Sequence, residues 1–219
     1  QIVGMGKDFF EKHEIVKKLF KEADETLGFK LSKIILDGPK NELDLTINTQ
    51  PAIFLISYSI FQVVKNDYNI NKEIPEDEDT IKKNAMFKAK FIYNQTGKNV
   101  FADDTGLEID SLNGEPGVYS ARYSGVDRNS DKNIELVLRK LKNKANRNSR
   151  FKTIISLIID GKSVNFEGVV EGKITDEKRG SNGFGYDPIF QPNGYASTFG
   201  EMSLKEKNKI SHRSIAINK

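Results

Sequence analysis

The stretch FKTIISLIIDGKSVNFEGVV, residues 151–170, decides the fold. A β-branched, apolar run over Phe151–Ile159 meets Asp160-Gly161, and a second alternating run follows over Ser163–Val170. Asp-Gly suits the two central positions of a type I′ turn, where both residues need positive φ, so this text predicts a long β-hairpin. Outward from it, helical periods flank short strands. Thr80–Asn94 carries Ile81, Ala85, Ala89 and Ile92 on one face and meets a stop at Gly97. Asn99–Ala102 reads as a short strand, Asn113–Gly117 as a turn cluster, Asn129–Asn143 as an amphipathic helix, and the tail from Ser203 as partly helical. Strands interleaved with helices around one hairpin predict an α/β fold with a mixed, twisted sheet and flanking helices.

Residues 1–70 have a different character. Phe9, Val16, Leu19, Phe20, Ala23 and Leu27 follow a helical period that ends at Gly28. Thr49 and Pro51 look like the start of a second helix through Ile53, Leu55, Ile56, Ile60, Phe61 and Val64, apolar almost all round and so expected to be buried on several sides. The segment holds 9 Lys and Arg against 10 Asp and Glu, and the remainder 25 against 21. The polar, acidic run Asn71–Asp79 is the expected boundary, giving a helical appendage over 1–70 and an α/β domain over 71–219.

Composition narrows the chemistry. The 219 residues are 37% hydrophobic and 30% charged, an ordinary balance for a chain that buries a core. Without cysteine there is no disulfide scaffold, iron–sulfur cluster or thiol nucleophile, and two histidines, His13 and His212, make no multi-histidine metal cage. A net charge of +3 does not demand nucleic acid. The longest apolar stretch, Ala52–Ile56, is too short to span a bilayer, and no charged-then-apolar leader opens the chain, which does not begin with Met. A cytoplasmic protein with no membrane partner is the expectation.

Four stretches carry candidate chemistry. In Ala102-Asp103-Asp104-Thr105-Gly106-Leu107, two adjacent carboxylates are expected to end a strand before a Thr-Gly turn. Carboxylates so placed suit Mg²⁺, a hard cation that keeps waters for a phosphate substrate, and one of them could take a proton from attacking water; an ordinary capped turn uses the same residues. Glu76 precedes a helix start, where an acidic residue is usually only part of a cap. Ser181–Pro188 presents Phe184, Gly185, Tyr186 and Asp187 on a glycine-rich loop, suited to stacking on a base or simply to anchoring a turn in the core. Lys207, Lys209, His212 and Arg213 cluster near a helix start, as donors for phosphate or a carbonyl oxygen or as a solvated basic face. Gly161-Lys162-Ser163 is no phosphate loop, because Ser156 stands where the leading glycine belongs.

Taken in order, these blocks and their neighbours resemble the inosine/xanthosine triphosphate pyrophosphatases. The matching text is Pro75-Glu76 through Thr80, Asn84-Ala85, Lys88-Ala89, Phe101–Leu107, Leu112–Tyr123, Gly183–Phe190 and Glu206–Arg213. The resemblance implies a Mg²⁺-dependent, homodimeric hydrolase that cleaves a non-canonical purine nucleoside triphosphate between its α and β phosphates. It implies Asp104 as proton acceptor and metal ligand, with Glu76 and Asp103 as acidic metal-site neighbours. It implies Thr105, Phe184, Gly185, Tyr186, Asp187, Lys207, His212 and Arg213 as substrate contacts. Lys207, His212 and Arg213 mainly donate hydrogen bonds, so a 6-keto purine pairs with them where the 6-amino group of adenine sets donor against donor.

The chain departs from that family at its start. The family opens with a strand and a Thr/Ser-x-Asn-x-x-Lys loop that holds phosphates. The nearest text here, Thr46-Ile47-Asn48-Thr49-Gln50-Pro51, has proline in the lysine's place, which leaves no charge for phosphate. Residues 1–70 instead resemble malonyl-CoA:acyl carrier protein transacylases, through Gln1, Val3–Asp8, Lys21–Asp24, Asp37-Gly38-Pro39, Leu45-Thr46 and Asn48–Ala52. The Gly-x-Ser-x-Gly elbow of that family occurs nowhere in the chain, which argues against acyl transfer. Two incomplete pieces joined near Asn71 give the simplest account. A purine nucleotide binder without catalysis is the remaining alternative.

Overall fold

The computed structural model describes residues 2–70 and 74–219. The junction expected at Asn71, like Gln1, lies outside the described residues. The chain divides into two compact units, Gln1–Glu73 and Ile74–Lys219.

The first unit is helical: α1 (Lys7–Lys12), α2 (Glu14–Leu27), α3 (Leu31–Asp37), α4 (Lys40–Leu43) and α5 (Thr46–Asp67). Gly28 closes α2 in the left-handed conformation at φ 74°. Val16, Phe20, Leu31, Ile35, Leu43, Ala52, Leu55 and Val63 form the core of this unit. Helix α5 departs from expectation twice. It begins at Thr46 and takes Pro51 inside it, because its first turn is tied back to α4: Asn48 Nδ2 donates to the Glu42 carbonyl at 2.9 Å and the Thr49 hydroxyl to the Leu43 carbonyl at 2.5 Å. It is also buried on one face only. Ala52, Leu55, Ser59 and Val63 point inward, whereas Phe54, Tyr58 and Phe61 are exposed. Among the described residues α5 is the one helix long and apolar enough to cross a membrane, by length and composition alone.

The second unit comprises α6 (Ile81–Thr96), β1 (Val100–Ile109), α7 (Ser130–Lys140), β2 (Asn148–Ile159), β3 (Lys162–Ile174), β4 (Phe190–Pro192), α8 (Leu204–Ile210) and α9 (His212–Ile217). Helix α6 starts where its text says: the Thr80 hydroxyl accepts from the Lys83 amide, and Gly97 closes it at φ 64°. The hairpin also forms as read, with Asp160 at φ 50° and Gly161 at φ 79°.

The α/β class holds, but the sheet is not mixed. Its order is β1-β2-β3-β4 and every pairing is antiparallel. The connection through α7 does not carry the chain back across the sheet, so β2 begins beside the end of β1, with Ser149 opposite Ile109. Strand β1 also runs on through Asp103-Asp104-Thr105-Gly106 rather than ending there. Gly106 is a strand residue and no turn: a Cβ on it would lie 2.5 Å from the Gly117 carbonyl oxygen and 2.8 Å from Ile81 Cδ1. Backbone and helix approach the sheet so closely that only glycine fits.

Strand alternation divides the sheet into two faces. One face carries Leu107, Ile109 and Phe151 into the main core, where Phe151, Phe190 and Phe199 lie 4.6–6.1 Å apart. On this face Gly168 of β3 admits α9, since a Cβ there would meet the His212 carbonyl oxygen at 1.9 Å. The other face packs Ile154 under Ile81 and Ala85 of α6.

Candidate active site

The alternation that organises the sheet also separates the adjacent carboxylates. Asp104 faces α6, where Lys88 Nζ stands 2.7 Å from its Oδ1 and 2.8 Å from Glu76 Oε1, and 3.3 Å from the Asp103 carbonyl. Asp103 faces the other way, with its Oδ2 3.4 Å from both Nε and a terminal nitrogen of Arg213. The expected trio of Glu76, Asp103 and Asp104 is therefore not brought together. Glu76 and Asp104 converge, and the Asp103 side chain sits across the strand from them.

On the α6 side, burial raises the Asp104 carboxyl above its ordinary range, with the Lys88 hydrogen bond only partly offsetting it. Burial would raise Glu76 too, but Lys88, Arg128 and Arg122 outweigh it and hold that carboxyl low. The same burial opposes the Lys88 ammonium, yet Asp104 and Glu76 together keep it above its usual value. Arg122 closes the group by donating to the Glu76 carbonyl at 2.6 Å. No group of three or more acidic, histidine or cysteine side chains poised for a metal occurs among the described residues. Two carboxylates from different segments nevertheless converge on one positive charge. That donor set fits a hard cation such as Mg²⁺, which commonly takes one or two carboxylates and completes its shell with water and phosphate.

On the opposite face lies a cavity of about 260 Å³. All eight expected substrate contacts line it: Thr105, Phe184, Gly185, Tyr186, Asp187, Lys207, His212 and Arg213. They fall into two kinds. Tyr186 and Asp187 are buried and anchor the loop, Tyr186 donating to the Ser120 carbonyl at 2.8 Å and Asp187 accepting from the Phe184 amide at 2.7 Å and Lys207 Nζ at 2.5 Å. Phe184 is largely exposed, with Lys207 Nζ 5.0 Å and the Arg213 guanidinium 5.4 Å from its ring centre. Lys207 is thus a buried, paired ammonium rather than part of a solvated basic face, while Lys209 remains on the surface. His212 stacks on Phe151 at 4.7 Å, and burial, reinforced by the charges of Arg213 and Lys207, pushes its imidazole down to about 3. It is neutral near pH 7, and its Nδ1 has no hydrogen-bond partner among the described residues.

Sequence reasoning assigned no role to Lys88, Arg122, Asn133 or Phe151. Lys88 sits one helical turn beyond Asn84 in a quoted block, so position on α6 was the available signal; nothing local marks Phe151 or Asn133 as cavity residues. The text nearest to a phosphate loop, Thr46–Pro51, forms the first turns of α5 in the helical unit, with Asn48 and Thr49 bonded to backbone.

An antiparallel sheet with an ammonium-bridged carboxylate pair on one face and an aromatic, donor-rich cavity on the other defines the class: an α/β protein with two chemically distinct regions about one strand. The chain belongs to the Ham1 family, whose model matches residues 50–219. It is 55% identical over 151 residues to a dITP/XTP pyrophosphatase of Christiangramia forsetii, covering 69% of this chain and 80% of that one. It is 48% identical over 163 residues to the dITP/XTP pyrophosphatase of Flavobacterium johnsoniae, covering 74% and 85%. The structure of the Staphylococcus aureus Ham1 protein aligns with TM-score 0.66 at 43% identity, over 68% of this chain and 78% of that one. A HAM1 protein from Coxiella burnetii aligns with TM-score 0.67 at 38% identity, over 70% and 80%.

Proposed function

We propose that the chain is a nucleoside triphosphate pyrophosphohydrolase acting on non-canonical purine nucleotides such as dITP, ITP and XTP. The observation that carries this reading is the arrangement about β1: the Asp104 carboxylate on one face, a base-sized cavity fringed by Lys207, His212 and Arg213 on the other. Water attacks the α phosphorus, the bond to the bridging oxygen of the β phosphate breaks, and pyrophosphate leaves with the nucleoside monophosphate as the second product. Asp104 takes the proton of the attacking water. Mg²⁺ held by Glu76 and Asp104 would neutralise phosphate charge. Lys88 stands beside both carboxylates, ready to turn its charge to a phosphate oxygen. In the cavity Phe184 offers a stacking surface, and Lys207 and Arg213 offer donors only, which suit the 6-keto oxygen of hypoxanthine and xanthine.

Residues 71–219 form the pyrophosphatase-like domain without the family's opening strand and phosphate loop, and residues 1–70 a helical, transacylase-like appendage. The division of the chain between Glu73 and Ile74 supports that partition. A cytoplasmic homodimer without nucleic-acid or membrane partners completes the reading, and light scattering of the purified chain tests its assembly. The activity is tested by pyrophosphate release from dITP, XTP and dATP with and without Mg²⁺. Release from dITP and XTP that needs Mg²⁺ supports the reading; equal release from dATP sinks it.

A further inference from the structure

We propose that Asp103 is a positioning residue for base recognition: it holds the Arg213 guanidinium at the cavity beside Phe184, while its neighbour Asp104 serves the phosphate end of the substrate from the other face of β1. This rests on the base-recognition reading above and divides two adjacent carboxylates between opposite ends of one ligand. Four observations carry it. First, alternation places the Asp103 side chain with Thr105 and Leu107, away from Glu76, Lys88 and Asp104. Thr105 lines the cavity, and its hydroxyl lies 3.5 Å from Asp103 Oδ2. Second, Asp103 Oδ2 is 3.4 Å from both Nε and a terminal nitrogen of Arg213, so one oxygen constrains the guanidinium at two nitrogens. Third, Asp103 is the one carboxylate paired with Arg213 among the described residues. Fourth, the backbone beneath Arg213 is already fixed, because α9 starts hard against Gly168 of β3. The remaining freedom is in the long arginine side chain, which Asp103 restrains. The guanidinium then sits 5.4 Å from the Phe184 ring centre with its donors at the cavity.

The test uses nucleoside monophosphates, so it needs no turnover. IMP and AMP are titrated calorimetrically into the full chain, its Asp103→Ala and Asp103→Glu variants, and Asp104→Ala. Mn²⁺ binding to each is followed by electron paramagnetic resonance. The wild-type chain is expected to bind IMP more tightly than AMP. Asp103→Ala should weaken IMP by about 10-fold, the scale of one charged hydrogen bond, with AMP nearly unchanged. Asp103→Glu should recover part of the loss, and Mn²⁺ binding should survive Asp103→Ala but fall in Asp104→Ala. Equal IMP affinity in wild type and Asp103→Ala overturns the proposal, and so does loss of Mn²⁺ binding in Asp103→Ala, which would make Asp103 a metal ligand. A wild-type chain that binds IMP and AMP alike overturns the base-recognition reading itself, a failure visible before any variant is compared.

Discussion

The two faces of β1 are built by opposite strategies. On the α6 face, charges are brought together and compensated: Glu76 and Asp104 share the Lys88 ammonium, and Arg122 buttresses Glu76. On the α9 face, a neutral buried imidazole and an exposed phenylalanine carry the surface, and the cations are tied to Asp187 and Asp103. On the proposed function, one face takes the triphosphate and the other the flat base. A single ten-residue strand serves both, because neighbouring residues point to opposite sides.

Four measurements would break or sharpen that contrast. The largest effect belongs to the charged face. Asp104→Asn removes the proposed proton acceptor and should cut pyrophosphate release by roughly 10²–10⁴-fold. On the proposed division of roles the loss should be equal for ITP and XTP, which differ only in the base; unequal losses would show that the faces do not act separately. Next comes Gly106→Ala, which forces a methyl group against the Gly117 carbonyl and Ile81. Overpacking of this kind typically costs about 1–3 kcal/mol, so thermal unfolding should shift down by several degrees. An unshifted transition would mean that α6 does not press on the strand.

The third measurement concerns the α9 face. His212 ionises near 6.5 when unfolded and is pushed down to about 3 when folded. As pH falls below 6.5 the unfolded chain takes up a proton that the folded chain refuses. Stability is therefore retained above that value and lost towards pH 3, by up to about 1.4 kcal/mol per pH unit. Denaturation at pH 7 and 5.5 should show that loss in the wild-type chain and less of it in His212→Gln. The smallest effect lies in the helical unit. Phe54→Lys alters the exposed face of α5 and should change the stability of that unit by no more than about 0.5 kcal/mol, read by denaturant unfolding. A larger loss would show that the exposed face is needed for folding.

Particular elements show what was legible in the text. The 151–170 hairpin was, because Asp160-Gly161 leaves few alternatives to a type I′ turn. So was α6, whose Thr80 cap and Gly97 stop act locally. The loop at 184–187 and the cluster at 207–213 were legible as blocks, and they meet at one cavity although some twenty residues separate them. The course of β1 was not, since Thr105-Gly106 reads as a turn and only the approach of Gly117 and Ile81 makes that glycine a strand residue. The exposure of α5 was equally hidden. Its composition permits burial all round, but four helices supply a core for one face only.

Local chemistry in the sequence determined the caps, the hairpin turn, the α/β class and the residue types available for reaction, because each depends on backbone preferences and neighbours a few positions away. The tertiary structure alone decided that Asp103 and Asp104 part company, that Lys88 stands between Glu76 and Asp104, and that the pairings are all antiparallel. Those outcomes depend on which segments, distant along the chain, press against each side of one strand.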